Sequence, residues 1–342
     1  MIPDLWDAEP GYLNTASYGL PPRPAWDALQ AALADWRGGR TSWEDWAETG
    51  EHSRHSFARL VGARTEDVAI GSQVSALVGL VAAAVPDGAR VVVPEIEFAS
   101  NVFPWLVHAD RGLEVVIVPT GRSLVDSIDE RTDVVAYSTV QSATGEVTDA
   151  ATVHAAARAY GAVTVVDATQ AVGWLPTDVR HADALACSAY KWLMSPRGTS
   201  FLVLEPSLAE RVKPLAAGWY AGEDVHASYY GPPLRLAKDA RRFDVSPGWF
   251  DWVGTAAALE VVERIGVPAI GEHDVALANR FRAGLGLPPG DSAIVSTDWP
   301  DAAARFERAG IRAATRAGSL RAAFHCYTTQ SDVDTAVAAL TG

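Results

Sequence analysis

The chain has 342 residues, of which 49% are hydrophobic and 20% are charged, which is an ordinary globular composition. This length exceeds what one small core needs and predicts a large domain accompanied by a smaller one. Lys and Arg total 28 against 42 Asp and Glu, which gives a net charge of −14. Such a surface repels nucleic acid and anionic membranes, so we expect a small-molecule ligand. An anionic ligand would then need a local arginine or lysine.

Cysteine content and the first residues predict a cytoplasmic location. Two thiols, Cys187 and Cys326, exclude a disulfide framework and a four-thiolate metal site, and they suit a reducing compartment. Residues 1–10 lack a basic stretch, so no signal peptide is expected. No window approaches the ~18 uninterrupted apolar residues of a membrane span.

Residues 67–205 alternate short β-branched runs with helix-like stretches. The runs predict seven strands, at Val68–Ile70, Arg90–Val93, Glu114–Val118, Val134–Tyr137, Val163–Val166, Ala184–Cys187 and Phe201–Leu204. Helices are predicted between several of them, for example at Val74–Val85 and Ala150–Tyr160. This pattern predicts an α/β fold with a mostly parallel sheet covered on both faces. Ligands of such sheets bind beyond the carboxyl ends of the strands, so the residues that follow each run are the candidates.

Two further regions follow the predicted sheet. Residues 206–250 are rich in Pro and Gly and are expected to close over the site. After Gly254 we expect a long helix and then a small α+β unit, with strands near Ala293–Ser296 and Leu320–Cys326. The predicted domains are a large α/β domain, 15–250, and a small α+β domain, 251–342 with 1–14.

Two neighbouring strand ends carry side chains of opposite charge. Asp167 ends one apolar run, where a half-desolvated carboxylate needs a cationic partner. Lys191 follows the next run, where burial would lower the pKa of its amine and free it for Schiff-base chemistry. Taken alone, each residue has an ordinary alternative, a helix cap or a surface charge. Together they fit pyridoxal phosphate (PLP), which needs a lysine for its aldehyde and a carboxylate that keeps its ring nitrogen protonated.

A phosphate cradle is predicted where the helix Val74–Val85 begins. The segment Gly-Ser-Gln-Val-Ser-Ala at 71–76 follows a strand and opens this helix. Free backbone N–H groups and the helix dipole make such a turn an anion site. The hydroxyl groups of Ser188 and Tyr190 could complete the cradle.

The Asp-Ala-Thr-Gln segment at 167–170 and the Ser-Ala-Tyr-Lys segment at 188–191, in this order and spacing, resemble the class V aminotransferase family of fold-type I PLP enzymes. That family includes cysteine desulfurases, isopenicillin N epimerase-like proteins, kynureninase and the C–S lyase of ergothioneine biosynthesis. The resemblance extends from Tyr12 to about residue 340. It implies a seven-stranded, mostly parallel sheet with helices on both faces, a small C-terminal domain, and a homodimer with shared active sites.

The resemblance also implies a role for each cofactor-binding residue. Asp167 would pair with the pyridine nitrogen, and Lys191 would hold the cofactor and later move protons. Gln170 would lie near the ring hydroxyl. Phe98 would stack on the ring, where relatives often have His, so it could not transfer protons. The phosphate would be held by Ser72, Gln73, Val74, Ser188, Tyr190 and, from the neighbouring subunit, Ser246.

The same resemblance implies where the amino-acid substrate binds. The segment Leu320–Thr329 is similar to the family's C-terminal segment, whose arginine binds the substrate carboxylate, and this residue would be Arg321. A planar bidentate fork suits that task and would capture an anion despite the acidic surface. Ser142, which stands where desulfurases have Asn, and Asn14 would complete the substrate site.

Three reactions at the substrate α-carbon remain open. Cysteine desulfurases need a mobile cysteine before the arginine, whereas the stretch Gly310–Ser319 has none, and both thiols are predicted to be buried in strands. We predict β-elimination from a cysteine-derived or β-substituted amino acid, which needs only one lysine as base and acid. Transamination also uses one lysine. Epimerisation needs a group on the second face, for which the candidates are Tyr12, Tyr220 and His325.

Two further possibilities concern substrate size and the absence of catalysis. A larger substrate tail could be gripped by Arg40, Arg54, Arg312, Arg316 or the pair Trp43 and Trp46. A non-catalytic binding protein of the same fold would be expected to have lost the lysine or the aspartate, and both are present.

Overall fold

The computed structural model describes residues 5–342. Residues 1–4, which belong to the stretch where no signal peptide is expected, lie outside the described residues. A seven-stranded sheet forms the centre of the molecule, and all seven strands predicted for this sheet are confirmed with their ends within one residue. The strands are β1 (Val68–Gly71), β2 (Arg90–Pro94), β3 (Glu114–Val118), β4 (Val134–Ser138), β5 (Val163–Asp167), β6 (Ala184–Ser188) and β7 (Ser200–Leu204).

The strand order is β1-β7-β6-β5-β4-β2-β3. Strand β7 is antiparallel to both of its neighbours, and the other pairs are parallel. The connection between β6 and β7, residues 189–199, contains no helix. Parallel neighbouring strands need a longer crossover, usually a helix. The short connection therefore requires β6 and β7 to be antiparallel. The carboxyl ends of β1, β5 and β6 consequently lie along one edge of the sheet.

Helices cover both faces of the sheet. They are α1 (Arg23–Arg37), α2 (Trp43–Val61), α3 (Val74–Ala84), α4 (Ala99–Leu106), α5 (Ala150–Ala159), α6 (Pro206–Arg211), α7 (Trp249–Ile265), α8 (Val267–Gly284), α9 (Ala302–Arg308) and α10 (Gln330–Thr341). Alternate residues of β4 pack into two different cores: Val135 and Tyr137 into one, Val134 and Ala136 into the other. Burial on both faces explains why the sequences of the inner strands are almost uninterrupted apolar runs.

A second, three-stranded antiparallel sheet lies towards the C-terminus. It consists of β8 (Ile294–Thr297), β9 (Ala314–Arg316) and β10 (Ser319–Ala323), in the order β8-β10-β9. The N-terminal segment joins it, because Asn14 bridges to Ala323. The division of the chain into domains stays a prediction. Of the helices in residues 5–342, none is long and apolar enough to span a bilayer.

The predicted strand Leu320–Cys326 is too long, since β10 ends at Ala323. The chain turns immediately afterwards, where the Thr328 N–H donates to the His325 carbonyl at 2.7 Å. Cys326 therefore lies in this turn rather than in a strand, although it is buried as predicted.

Candidate active site

A cavity of about 140 Å³ lies at the carboxyl ends of β1, β5 and β6. Most of the predicted cofactor residues meet there, although Gln170 and Ser246 are not among its walls. None of the residues that line it comes from 206–250, the segment expected to close over the site. The cavity is lined by Ser72, Gln73, Val74, Phe98, Ser100, Asp167, Thr169, Ser188, Tyr190, Lys191 and Arg197.

A tight loop positions Lys191. The Gly19 N–H donates to the Tyr190 carbonyl at 2.9 Å, and the Met194 N–H donates to the Lys191 carbonyl at 3.1 Å. A Cβ at position 19 would lie 1.9 Å from the Lys191 carbonyl oxygen, so this close approach requires glycine. Met194 adopts a φ of 54°, which is uncommon for a residue with a side chain. The N-terminal segment and this turn together fix the backbone that carries the lysine.

The Lys191 amine is buried between aromatic rings. Nζ lies 5.4 Å from the ring centroid of Phe98 and 5.6 Å from that of Tyr190. Burial lowers the pKa of Lys191 to about 8, although the Asp167 carboxylate opposes this shift, and the charge of Arg321 adds to the lowering. Nothing within residues 5–342 hydrogen-bonds to Nζ. At pH 7 roughly a tenth of the amine is therefore neutral and nucleophilic, against less than about a thousandth for an ordinary lysine.

Asp167 ends β5 at the other side of the cavity. It is buried, and its Oδ1 accepts a hydrogen bond from the Thr169 N–H at 2.9 Å. Burial raises the pKa of Asp167, while the bonds from Thr169 and the charge of Lys191 oppose the rise. Such a carboxylate gains most from a cationic N–H donor, which would replace the water it has lost.

The start of α3 forms the anion-binding side of the cavity. No side chain caps this helix at Gln73, so its first backbone N–H groups are available to a ligand. Ser188 Oγ shares a hydrogen bond with Ser200 Oγ at 2.8 Å. The Arg197 guanidinium lies 5.1 Å from the Tyr190 ring centroid and donates to the Tyr18 hydroxyl at 2.7 Å. Sequence reasoning missed Arg197, although its position six residues after Lys191 on the same loop was a usable signal.

Gln170 is held in a network beside the cavity. Its Nε2 donates to Ser142 Oγ at 3.1 Å and to the Ala16 carbonyl at 3.0 Å. Its Oε1 accepts a hydrogen bond from Trp192 Nε1 at 2.7 Å. Both ends of the Gln170 amide are therefore bonded to protein groups. That Gln170 lies near the cofactor ring remains a prediction.

Arg321 lies buried on β10 and is linked to this network. Its Nη1 donates to Ser142 Oγ at 3.0 Å, and its Nη2 donates to Ser17 Oγ at 2.8 Å. Burial lowers the pKa of Arg321 to about 10, with a further contribution from Arg316, so it remains charged at neutral pH. Arg321 Nε and Asn14 Oδ1 are buried without hydrogen-bond partners among the described residues. Ser17, which sequence reasoning missed, helps to hold the guanidinium.

Other residues singled out in the sequence have structural contacts instead. Arg54 is buried and pairs with Asp244 at 2.5 Å, so it anchors α2 and cannot grip a substrate tail. His325 is fully buried, and its two ring nitrogens contact Asp274 and the Trp192 carbonyl, which leaves neither for a second-face proton transfer. Ser246 is exposed in the single chain.

Neither thiol is positioned for the chemistry that a desulfurase requires. Cys187 and Cys326 are buried, and neither lines the cavity. Burial raises the pKa of Cys187 well above its usual range, so this thiol is a poor nucleophile.

The chemistry of the cavity matches the requirements of PLP. A desolvated amine suits the aldehyde, a buried carboxylate suits the ring nitrogen, and an uncapped helix start with nearby hydroxyl groups suits the phosphate. The exposed face of Phe98 offers a surface against which the flat ring can lie.

The chain is similar in sequence to known proteins over most of its length. Residues 27–298 match the family model described as aminotransferase class-V. The chain is 29% identical over 318 residues to an uncharacterized aminotransferase, YcbU, of Bacillus subtilis, which covers 87% of this chain and 84% of that protein. It is 30% identical over 295 residues to isopenicillin N epimerase of Streptomyces clavuligerus, which covers 79% and 72%.

Solved structures share the fold over nearly the whole chain. The cystine C–S lyase C-DES, in complex with its product cysteine persulfide, superposes with a TM-score of 0.88 at 21% identity and covers 99% of both chains. A cysteine desulfurase of Thermococcus onnurineus superposes with a TM-score of 0.84 at 24% identity and covers 96% of this chain and 93% of the other. The chain belongs to the class-V aminotransferase family and is a PLP-dependent enzyme.

Proposed function

We propose that this enzyme catalyses β-elimination from a cysteine-derived or other β-substituted amino acid, in the manner of a C–S lyase. The observation that carries the proposal is the site's single buried amine, which has a lowered pKa and faces a cavity without a thiol. β-Elimination needs one group that accepts the α-proton and returns a proton to the leaving group, and Lys191 can perform both tasks.

The residues of the site would divide the work as follows. PLP, when bound, supplies the electron sink for the carbanion at the substrate α-carbon. Asp167 would keep the ring nitrogen protonated. The amine of Lys191 would remove the α-proton and then protonate the leaving group. The product would be an enamine, which takes up water to give pyruvate and ammonia beside the released thiol.

Substrate binding would depend on Arg321. Its guanidinium is already oriented by Ser142 and Ser17, and its fork would bind the substrate carboxylate bidentately. Asn14, whose buried Oδ1 has no hydrogen-bond partner among residues 5–342, would face the same region through its pairing with β10. In this arrangement Ser142 orients the arginine and does not itself bind the carboxylate.

The alternative reactions are less well supported by the contacts. Epimerisation needs a second proton-transfer group, and His325 is locked in a buried pair while the Tyr12 hydroxyl donates to the Tyr18 carbonyl at 2.8 Å. The third candidate, Tyr220, is buried, which raises the pKa of its hydroxyl and makes it a poor base. Transamination needs the same single lysine as elimination, so it is the competitor that experiment must exclude.

The test is a cofactor spectrum recorded with product analysis, using cysteine conjugates as substrates. Elimination predicts that pyruvate and ammonia accumulate while the lysine-bound cofactor band persists. A band that changes to the pyridoxamine form until a keto acid is added would establish a transaminase, and inversion of the α-carbon without pyruvate would establish an epimerase. Lys191→Ala should abolish turnover, whereas Lys213→Ala, which alters an exposed lysine, should not.

A further inference from the structure

Glu97 is a buried carboxylate beside the cavity to which the proposed reaction assigns no role. It lies between β2 and α4 and is 8% exposed, whereas its neighbour Phe98 is 43% exposed and lines the cavity. Glu95, two residues earlier in the same loop, is exposed to solvent. Burying a carboxylate is costly unless hydrogen bonds compensate it, so the contacts of Glu97 need an explanation.

Four donors surround the Glu97 carboxylate. Oε1 accepts a hydrogen bond from the Phe98 N–H at 2.8 Å and a short one from Ser138 Oγ. Oε2 accepts hydrogen bonds from the Ser138 N–H at 2.6 Å and from Gln141 Nε2 at 3.1 Å. Three of these donors are N–H groups that cannot accept, so their directions fix the carboxylate. The loop that carries Phe98 is thereby tied to the end of β4.

The attachment point lies directly beside Asp167. Ser138 is the partner of Asp167 in the β4–β5 register, and the Thr139 N–H donates to the Asp167 carbonyl at 3.0 Å. Burial raises the pKa of Glu97; the hydrogen bond from Ser138 opposes the rise and the charge of Asp167 adds to it. Glu97 therefore lies close enough to Asp167 for the two carboxylates to interact electrostatically.

We propose that Glu97 is a positioning residue. It would hold the Phe98 ring against the cofactor ring and keep it at a fixed position relative to Asp167. The inference rests on the proposed assignment of Phe98 and Asp167 to the cofactor ring. The Glu97 carboxylate would fix two groups that contact the cofactor ring. It would hold the Phe98 side chain through the hydrogen bond from the Phe98 N–H. It would hold the strand end next to Asp167 through the hydrogen bonds from Ser138. Glu97 itself is not among the residues that line the cavity.

The first test is Glu97→Gln. The substituted amide would place an NH₂ group against donors, so at least one hydrogen bond would be lost and the Phe98 loop would loosen. Loss of a buried hydrogen bond predicts that the Kd for PLP rises about 10-fold. The induced circular dichroism of the cofactor band should also weaken, because it depends on the orientation of the ring. The matched control is Glu95→Gln. Glu95 lies in the same loop and accepts hydrogen bonds from Thr120. This substitution should change neither the Kd for PLP nor the induced circular dichroism.

A double-mutant cycle with Phe98→Leu tests whether Glu97 acts through the ring. If it does, Glu97→Gln weakens PLP binding in the wild type and has little further effect when the ring is absent. An equal loss in both backgrounds would overturn the proposal. Should Glu97→Gln fail to fold, as judged by thermal unfolding of the apoprotein, Ser138→Ala removes a single donor and takes its place in the same cycle.

These measurements need no turnover, so they separate this inference from the proposed reaction. An enzyme that binds PLP normally and forms no pyruvate would refute β-elimination and leave the role of Glu97 intact. Unchanged PLP affinity and dichroism in Glu97→Gln, with an active wild type, would refute the positioning role alone.

Discussion

The environment of Lys191 should determine how the reaction of the apoprotein with PLP depends on pH. Burial lowers the pKa of its amine to about 8, and only the neutral amine attacks an aldehyde. The rate at which the apoprotein reacts with PLP should therefore rise with pH and reach half its maximum near pH 8, well below the ~10.4 of a free lysine. Stopped-flow absorbance at the cofactor band would measure this profile. Because the charge of Asp167 opposes the lowering, Asp167→Asn should move the midpoint further down; a midpoint that rises would contradict the assignment.

Arg321 should act in substrate binding rather than in the chemical step. Arg321→Lys retains a charge but loses the planar fork, so KM should rise about 10-fold or more while kcat changes little. Steady-state kinetics with an eliminable amino acid would measure the two constants separately. The control is Arg180→Lys, since Arg180 is exposed, pairs with Asp178 at 2.5 Å and has no assigned role in the site. An unchanged KM, or a fall confined to kcat, would remove Arg321 from the carboxylate site.

At the level of elements, a buried ion pair joins the small sheet to the loop that carries the lysine. His325, just after β10, contacts Asp274 of α8 at 2.7 Å and the Trp192 carbonyl at 3.0 Å. A carbonyl can only accept, so Nε2 carries a proton. Although burial by itself lowers the pKa of His325, its neighbours Cys326 and Asp274 raise it to about 10. The pair thus fixes Trp192, the residue directly after Lys191.

The stability of the fold should consequently depend on pH in the alkaline range. A histidine whose folded pKa exceeds its unfolded value of ~6.5 contributes stability that is complete below that value and is lost as pH rises through the folded pKa. Asp274→Asn should therefore destabilise the protein by about 3 kcal/mol at pH 7. The difference from wild type should shrink as pH approaches 10, as measured by urea unfolding. Asp334→Asn, which alters an exposed pair with Arg280, should have little effect at any pH.

The sequence predicts elements well where burial alone determines them. Six of the seven strands of the large sheet were found because residues buried on both faces leave an uninterrupted apolar pattern. The edge strand β3, in which Glu114 and Ile117 are exposed, was found from its run of β-branched residues. The end of β10 was missed because Phe324, His325 and Cys326 remain buried beyond Ala323, so the buried pattern continues into the turn after the strand has ended.

The candidate site was likewise only partly predictable from the sequence. Local patterns predict some of its residues, whereas other features depend on contacts between distant segments. Asp167 and Lys191 could be singled out because Asp167 ends one apolar run and Lys191 follows the end of the next. The binding of Ser142 to Arg321, and the four donors around Glu97, depend on contacts between segments far apart in the chain, which no local pattern records.

For the whole molecule, the remaining prediction is a dimer that completes its own active sites. Among the residues that the structure describes, those lining the cavity include none from 242–247, and Ser246 is exposed. If Ser246 binds the cofactor phosphate, it must therefore reach the site of a second copy. Sedimentation should then give twice the 36.3 kDa mass of the chain.

Mixing two inactive variants would show whether the sites are shared. Lys191→Ala removes the lysine from one subunit, and Ser246→Asp places a negative charge where the partner's phosphate would bind. In a mixed dimer with shared sites, one site carries both defects and the other carries neither. Random exchange of subunits should then restore about a quarter of wild-type turnover, since about half of the dimers are mixed and each has one intact site. If Ser246 served its own subunit instead, every site would carry one defect, and the mixture would remain as inactive as its components.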